Sequence, residues 1–149
     1  MIQRIQTVFL FLAACLSAAQ FFLPYERAET GNPATTMVVF ADTVFNPFDN
    51  PGLMGLCALA CLVSISAVFL YRNRALQARI TGGAMLASVL LIALLAFSLY
   101  QISRSIPHGG SVQYQAGLVM PLAALLFQWL AGRAIRKDEA LVKSMDRLR

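Results

Sequence analysis

The sequence predicts an all-α membrane protein: a bundle of four transmembrane helices, a short β-containing outer loop, and a cytoplasmic extension of the last helix. Three observations carry this expectation. Hydrophobic residues make up 58% of the 149 positions and charged residues only 13%, far from the balance of a soluble domain. Four long stretches lack any Asp, Glu, Lys or Arg: between Arg4 and Glu26, Asp49 and Arg72, Arg79 and Arg104, and Arg104 and Arg133. They hold 21, 22, 24 and 28 residues, where about 20 are needed to cross the hydrocarbon core as a helix. Finally, ten of the twelve basic residues fall on one side of the resulting topology.

The spans are placed at about 5–24, 52–71, 80–102 and 115–134 within a single integral membrane domain, 1–149, with an outer loop at 25–51 and a tail at 135–149. Lys and Arg accumulate on the cytoplasmic side of membrane proteins. Arg4, the loop residues Arg72, Arg74 and Arg79, and six more from Arg133 at the end of span four onward therefore predict that both termini are cytoplasmic. Tyr25, Tyr71, Tyr100, Tyr114 and Trp129 lie near predicted span ends, where a ring with a polar edge suits the headgroup layer.

Span one competes with a cleaved leader. Leu12-Ala13-Ala14-Cys15 fits a lipoprotein cleavage box, and Ser17-Ala18-Ala19 fits signal peptidase. Apolar residues continue past Cys15 to Leu23, so a retained span is expected. Small residues at spacing four mark helix seams, because lipid supplies no hydrophobic drive between helices and close approach must do so. Span one offers Ala13/Ser17 and Ala14/Ala18; span three offers Gly83/Ala87 and Ala84/Ser88; span two offers Gly55, Ala58, Cys61 and Ser64 or Ser66. Pro121 is expected to kink span four. Gln20, Gln101, Gln115 and Gln128 are expected near span ends, within reach of water or headgroups.

In the outer loop, Thr35–Phe45 is β-branched and aromatic and predicts one or two short strands, with Phe45 and Phe48 turned inward. Asn50 and Pro51 predict the cap and first position of span two. No catalytic constellation is present, and no catalytic, cofactor-binding or metal-binding residues are expected: Cys57 and Cys61 lack companion ligands, and His108 reads as a turn residue. The basic balance, +5, is spread between apolar runs rather than gathered on a surface, so nucleic acid is not an expected partner. Membrane lipid and either a protein partner or a second copy are.

The tail AIRKDEALVKSMDRLR holds eight charges in sixteen residues, each costing roughly 2.5–3.5 kcal/mol at mid-bilayer, so it stays in water. It reads as a helix continuing from span four. Ala134, Ile135, Leu141, Val142, Met145 and Leu148 share one face, with Glu139 and Lys143 in the favourable i, i+4 order. Asp138 falls inside that apolar arc and needs a partner, expected among Arg72, Arg74 and Arg79.

The start MIQRIQTVFLFLA and the finish RAIRKDEALVKSMDRLR resemble the end signatures of a bacterial family of small four-helix membrane proteins, catalogued as domain of unknown function 4293. The resemblance implies a protein of the bacterial cytoplasmic (inner) membrane, with no established activity, cofactor or substrate. Residues and resemblance together point to a structural or accessory role exercised through protein contacts, the alternative being a small-molecule or lipid transporter.

Overall fold

A computed structural model describes residues 3–70 and 73–146, with side chains at 5–70, 73 and 75–142. Its helices are α1 (Gln3–Ala19), α2 (Pro51–Phe69), α3 (Arg74–Ser105) and α4 (Val119–Asp146). They form an up-and-down ring in which each helix packs on the two that adjoin it, α1 closing on α4. Three of the four are long and apolar enough to cross a membrane. The 17-residue α1 is shorter; it ends in a turn at 20–22, before the chain enters the sheet.

Each helix buries one stripe at alternating spacings of three and four, the pattern that keeps a face toward its neighbours in a left-handed bundle. The stripes are Gln6, Leu10, Ala13, Ser17 on α1; Leu53, Cys57, Ala60, Ser64, Ala67 on α2; Gln77, Thr81, Ala84, Ser88, Leu91, Leu95 on α3; and Ala124, Gln128, Ala131, Ile135, Asp138 on α4. Small residues dominate, so the backbones approach closely. The pairs Ala13/Ser17 and Ala84/Ser88 lie in these stripes as expected. Gly83 does not: it is exposed, and a Cβ built on it would meet nothing within 4 Å. Its expected seam partner Ala87 is buried. One residue of shift, about 100° around the helix, puts Ala84 inward and Gly83 outward. On α2, Gly55 is likewise exposed, and Ala58 and Cys61 are only half-buried.

The ring is capped at one end by a three-stranded antiparallel sheet of order β2-β1-β3: β1 Glu26–Ala28, β2 Val44–Phe45, β3 Val112–Tyr114. The pairing sets Glu26 opposite Phe45 on one side and Tyr114 on the other. Of Thr35–Phe45, expected to hold one or two short strands, only Val44–Phe45 is strand, while two 3-10 turns, Pro33–Thr36 and Val38–Phe40, take up its first half. The reason is local: Asn32 Oδ1 accepts from the Ala34 amide at 3.0 Å. The hydroxyls of Thr35 and Thr36 donate to the carbonyls of Asn32 and Pro33 at 2.7 and 2.8 Å. These side-chain bonds compete with a ladder and win. Phe45 is buried, but Phe48 is exposed at its outer edge, tilted against Phe21 at 5.9 Å.

Helix starts follow the capping chemistry. Asn50 Oδ1 accepts from the Gly52 and Leu53 amides, with Pro51 as first helical residue. Pro121 falls in the first turn of α4, because the helix begins at Val119 rather than 115. A proline there removes an amide that has no helical acceptor anyway, so the expected kink has no cause.

Candidate functional site

The interior carries a series of buried polar groups, one layer below another, from the sheet to the chain termini. At the sheet end Tyr25 is wholly buried, its hydroxyl 3.5 Å from Gln20 Oε1. It does not sit in an interfacial belt, as its place at a span end suggested; Tyr100, Tyr114 and Trp129 remain exposed. Burial, reinforced by the neighbouring Cys57, pushes the Tyr25 phenol well above its ordinary value. Next along, Cys57 Sγ lies 3.9 Å from the Ser17 carbonyl oxygen, linking α2 to α1. The Ser17 hydroxyl oxygen has no partner among the described residues.

One heptad further along α2, Gln128 Nε2 donates to Ser64 Oγ at 3.0 Å. This bond joins α4 to α2, helices on opposite sides of the ring, and leaves Gln128 Oε1 without a partner among the described residues. Gln128 and Gln20 were expected near water; both are buried. Nearer the termini, Gln77 Nε2 donates to the Ala67 carbonyl at 3.0 Å, pinning the start of α3 to the end of α2.

A carboxyl stands at each end of this series. Glu26 is 2% exposed and shares the inward face of β1 with Ala28. Its Oε2 has no hydrogen-bond partner among the described residues, and burial pushes its pKa up to about 7. Asp138 is 8% exposed, and its Oδ2 accepts from Gln6 Nε2 on α1. The same Gln6 nitrogen lies 3.5 Å from the Ala134 carbonyl oxygen. So Asp138 does occupy a packed surface, but the partner it has there is an amide of α1. Of the arginines expected to pair with it, Arg72 and the Arg74 side chain lie outside the described residues. Arg79 is exposed and forms no ion pair among them. Glu139 is half-buried, and the Lys143 side chain expected to pair with it lies outside the described residues.

The family model for the domain of unknown function DUF4293 matches residues 2–148. The chain belongs to that family. No curated protein and no solved structure matches it.

Between the Gln128–Ser64 bond and the Gln6–Asp138 bond lie the fully buried apolar residues Leu10, Ala67, Ala131 and Ile135, with Gln77 bonded to the Ala67 carbonyl beside them. Cys57, Gln128, Gln77 and Gln6 are each committed to an adjacent or opposite helix. Among the described residues no three His, Cys, Asp or Glu side chains could hold a metal ion. Cys57 is buried, Cys15 and His108 are exposed.

Glu26 was missed by sequence reasoning, which counted it only as one acidic residue of the outer loop. A signal was available in the strand alternation Glu26-Arg27-Ala28. It was obscured because the partner strand Val112–Tyr114 comes from the other loop, 84 residues away in the Ala28–Val112 pairing. Gln6 was missed because its stripe-mates Leu10, Ala13 and Ser17 are unremarkable, and nothing local ties it to Asp138.

Proposed function

We propose that the protein is a non-catalytic accessory subunit of the bacterial cytoplasmic membrane. In this reading all four helices span the bilayer, the sheet lies outside, both termini lie in the cytoplasm, and activity is exercised through contacts with other proteins. The observation that carries the reading is that buried polar side chains are spent on bonds between helices: Gln128 to Ser64, Gln77 to the Ala67 carbonyl and Gln6 to Asp138. A bundle cross-linked in this way suits a rigid platform. The short α1 is completed as a span by the apolar residues that follow it, Phe21 to Leu23.

Topology is supported by charge: Arg79, Arg133, Arg136 and Lys137 stand at the end opposite the sheet. The sheet supplies a firm outward surface. Asn32 ties it together, its amide donating to Ser111 Oγ at 2.9 Å and its Oδ1 accepting from the Ser111 amide at 3.1 Å. Val38, 92% exposed at its surface, is an apolar contact point.

The test is purification from mild detergent followed by mass spectrometry of what remains bound. A stoichiometric partner that is lost on Val38→Asp, with the protein's own melting unchanged, is the expected result. Movement of a solute by the purified protein in liposomes would overturn it in favour of transport.

A further inference from the structure

We infer that the groove between α3 and α4 holds a phospholipid with an anionic headgroup, drawn from the leaflet that faces the tail. The inference rests on the bilayer placement proposed above. Two hollows form the groove. The one nearer the tail, of 310 Å³, is bounded by Thr81, Gly82, Gly132 and Arg136; the next, of 400 Å³, by Val89, Leu126 and Trp129; Met85 lines both. Both lie on the flank of the ring, with Thr81 of the buried α3 stripe reaching the one nearer the tail.

The groove exists because two glycines face each other across it. A Cβ on Gly82 would meet nothing within 4 Å, and one on Gly132 would only reach ordinary contact with Arg136, Thr81 and Met85. Its chemistry changes along its length. Met85, Val89, Leu126 and Trp129 make an apolar channel of the width an acyl chain fills. Arg136 closes the end nearest the tail, its Nε donating to the Gly132 carbonyl at 3.2 Å, which turns the guanidinium back along the groove. Arg133 lies 5.7 Å from the centre of the Trp129 ring. Among the described residues no carboxyl lines either hollow.

From Trp129 to Arg136 is one heptad of α4, about 10 Å along the axis at roughly 1.5 Å per residue. That is the separation between a phosphate and the middle of its acyl chain. Two guanidiniums with no carboxyl select an anionic headgroup over a zwitterionic one, whose own cation would be brought beside them. Arginine suits the role because its planar fork binds phosphate oxygens in pairs.

Trp129 is the only tryptophan in the chain, so its fluorescence reports on this groove alone. The protein is placed in phosphatidylcholine nanodiscs doped with lipid brominated at mid-chain, either phosphatidylglycerol or phosphatidylcholine. Brominated phosphatidylglycerol should quench Trp129 at a several-fold lower mole fraction. Arg136→Gln should raise that fraction to the phosphatidylcholine value. Gly82→Leu, which has open space for its side chain and fills the tail-side hollow, should weaken the preference as well. Equal quenching by the two lipids in the unaltered protein, or an undiminished preference in Arg136→Gln, would overturn the inference and leave the bilayer placement standing. Quenching by neither lipid would overturn both.

Discussion

The two ends of the bundle each bury a carboxyl, and they treat it differently. At the tail end Asp138 meets an amide donor, Gln6, across the seam between the start of α1 and the end of α4. At the sheet end Glu26 faces inward from the central strand, with Oε2 unpartnered among the described residues. The surroundings account for the contrast. α1 and α4 lie side by side, so a side chain of one can reach the backbone and side chains of the other. Glu26 lies beside an apolar cluster built from Tyr25, Phe45, Leu53 and Leu95, which offers few donors. A carboxyl in such a place lowers its cost by keeping its proton. The tail end is therefore held by a specific hydrogen bond, whereas the sheet end is held by packing and tolerates a titratable group within it.

The largest effect is expected from removing the donor at the tail end. Gln6→Leu leaves Asp138 buried without its partner, a loss of about 1–3 kcal/mol or more. The double variant Gln6→Leu, Asp138→Leu should recover much of it, because an apolar pair replaces a satisfied polar one at little cost. Thermal melting in detergent measures both. If Gln6→Leu melts with the unaltered protein, the bond does not hold this end.

Packing at the sheet end is probed by Gly117→Ala. A Cβ there would meet the Pro24 carbonyl oxygen at 2.3 Å, and it is the Gly117 amide that donates to that carbonyl at 3.1 Å. Backbone must move to admit the methyl group, at a cost of about 1–3 kcal/mol. The loss should appear first as faster amide exchange in β1 and β3 rather than in the helices.

The titration of Glu26 sharpens the contrast further. Its pKa rises from an ordinary 4.5 to about 7 on folding. Below the ordinary value both states hold the proton, and stability is at its full level. As pH climbs toward 7 the unfolded chain ionises while the fold retains the proton, so stability falls across that window and levels off above it. Melting temperature against pH should show this decline, and Glu26→Gln should flatten it. A profile unaltered by the substitution would assign the decline to another group.

The smallest effect is expected between the two ends. Gly83→Leu should be tolerated to within about 0.5 kcal/mol, since its side chain would enter open space. Ala84→Leu, one residue on and fully buried, should lose about 1–3 kcal/mol by overpacking. Equal tolerance at the two positions would place the α3 seam elsewhere.

Much of the fold was legible because it depends on local properties summed along the chain. Four uncharged stretches are a matter of composition, and the four helices follow from them. Asn50 and Pro51 start α2 because a cap needs only its own next residues. The tail continues as helix to Asp146 because nothing after Gly132 interrupts it. What the sequence left open depends on which distant residues meet. The β3 strand lies in a loop that carries no strand signal of its own and exists because β1 offers it a partner. Gln128 was read as a residue near a span end, and only the closed ring lets it reach Ser64 on the opposite helix.

The candidate site shows the same division. Asp138 was legible as a carboxyl that must find a partner, since its place on the helical arc follows from spacing alone. Its partner was not, because an α4 side chain can be matched with Gln6 only after α1 and α4 are known to adjoin. Glu26 depends on both kinds of information: alternation along β1 turns it inward, but burial requires the sheet to lie on the helix ends. Hydropathy and capping belong to a residue and its immediate neighbours, and sequence alone determines them. Hydrogen-bond partners and desolvation belong to pairs and environments, and these only the tertiary structure decided.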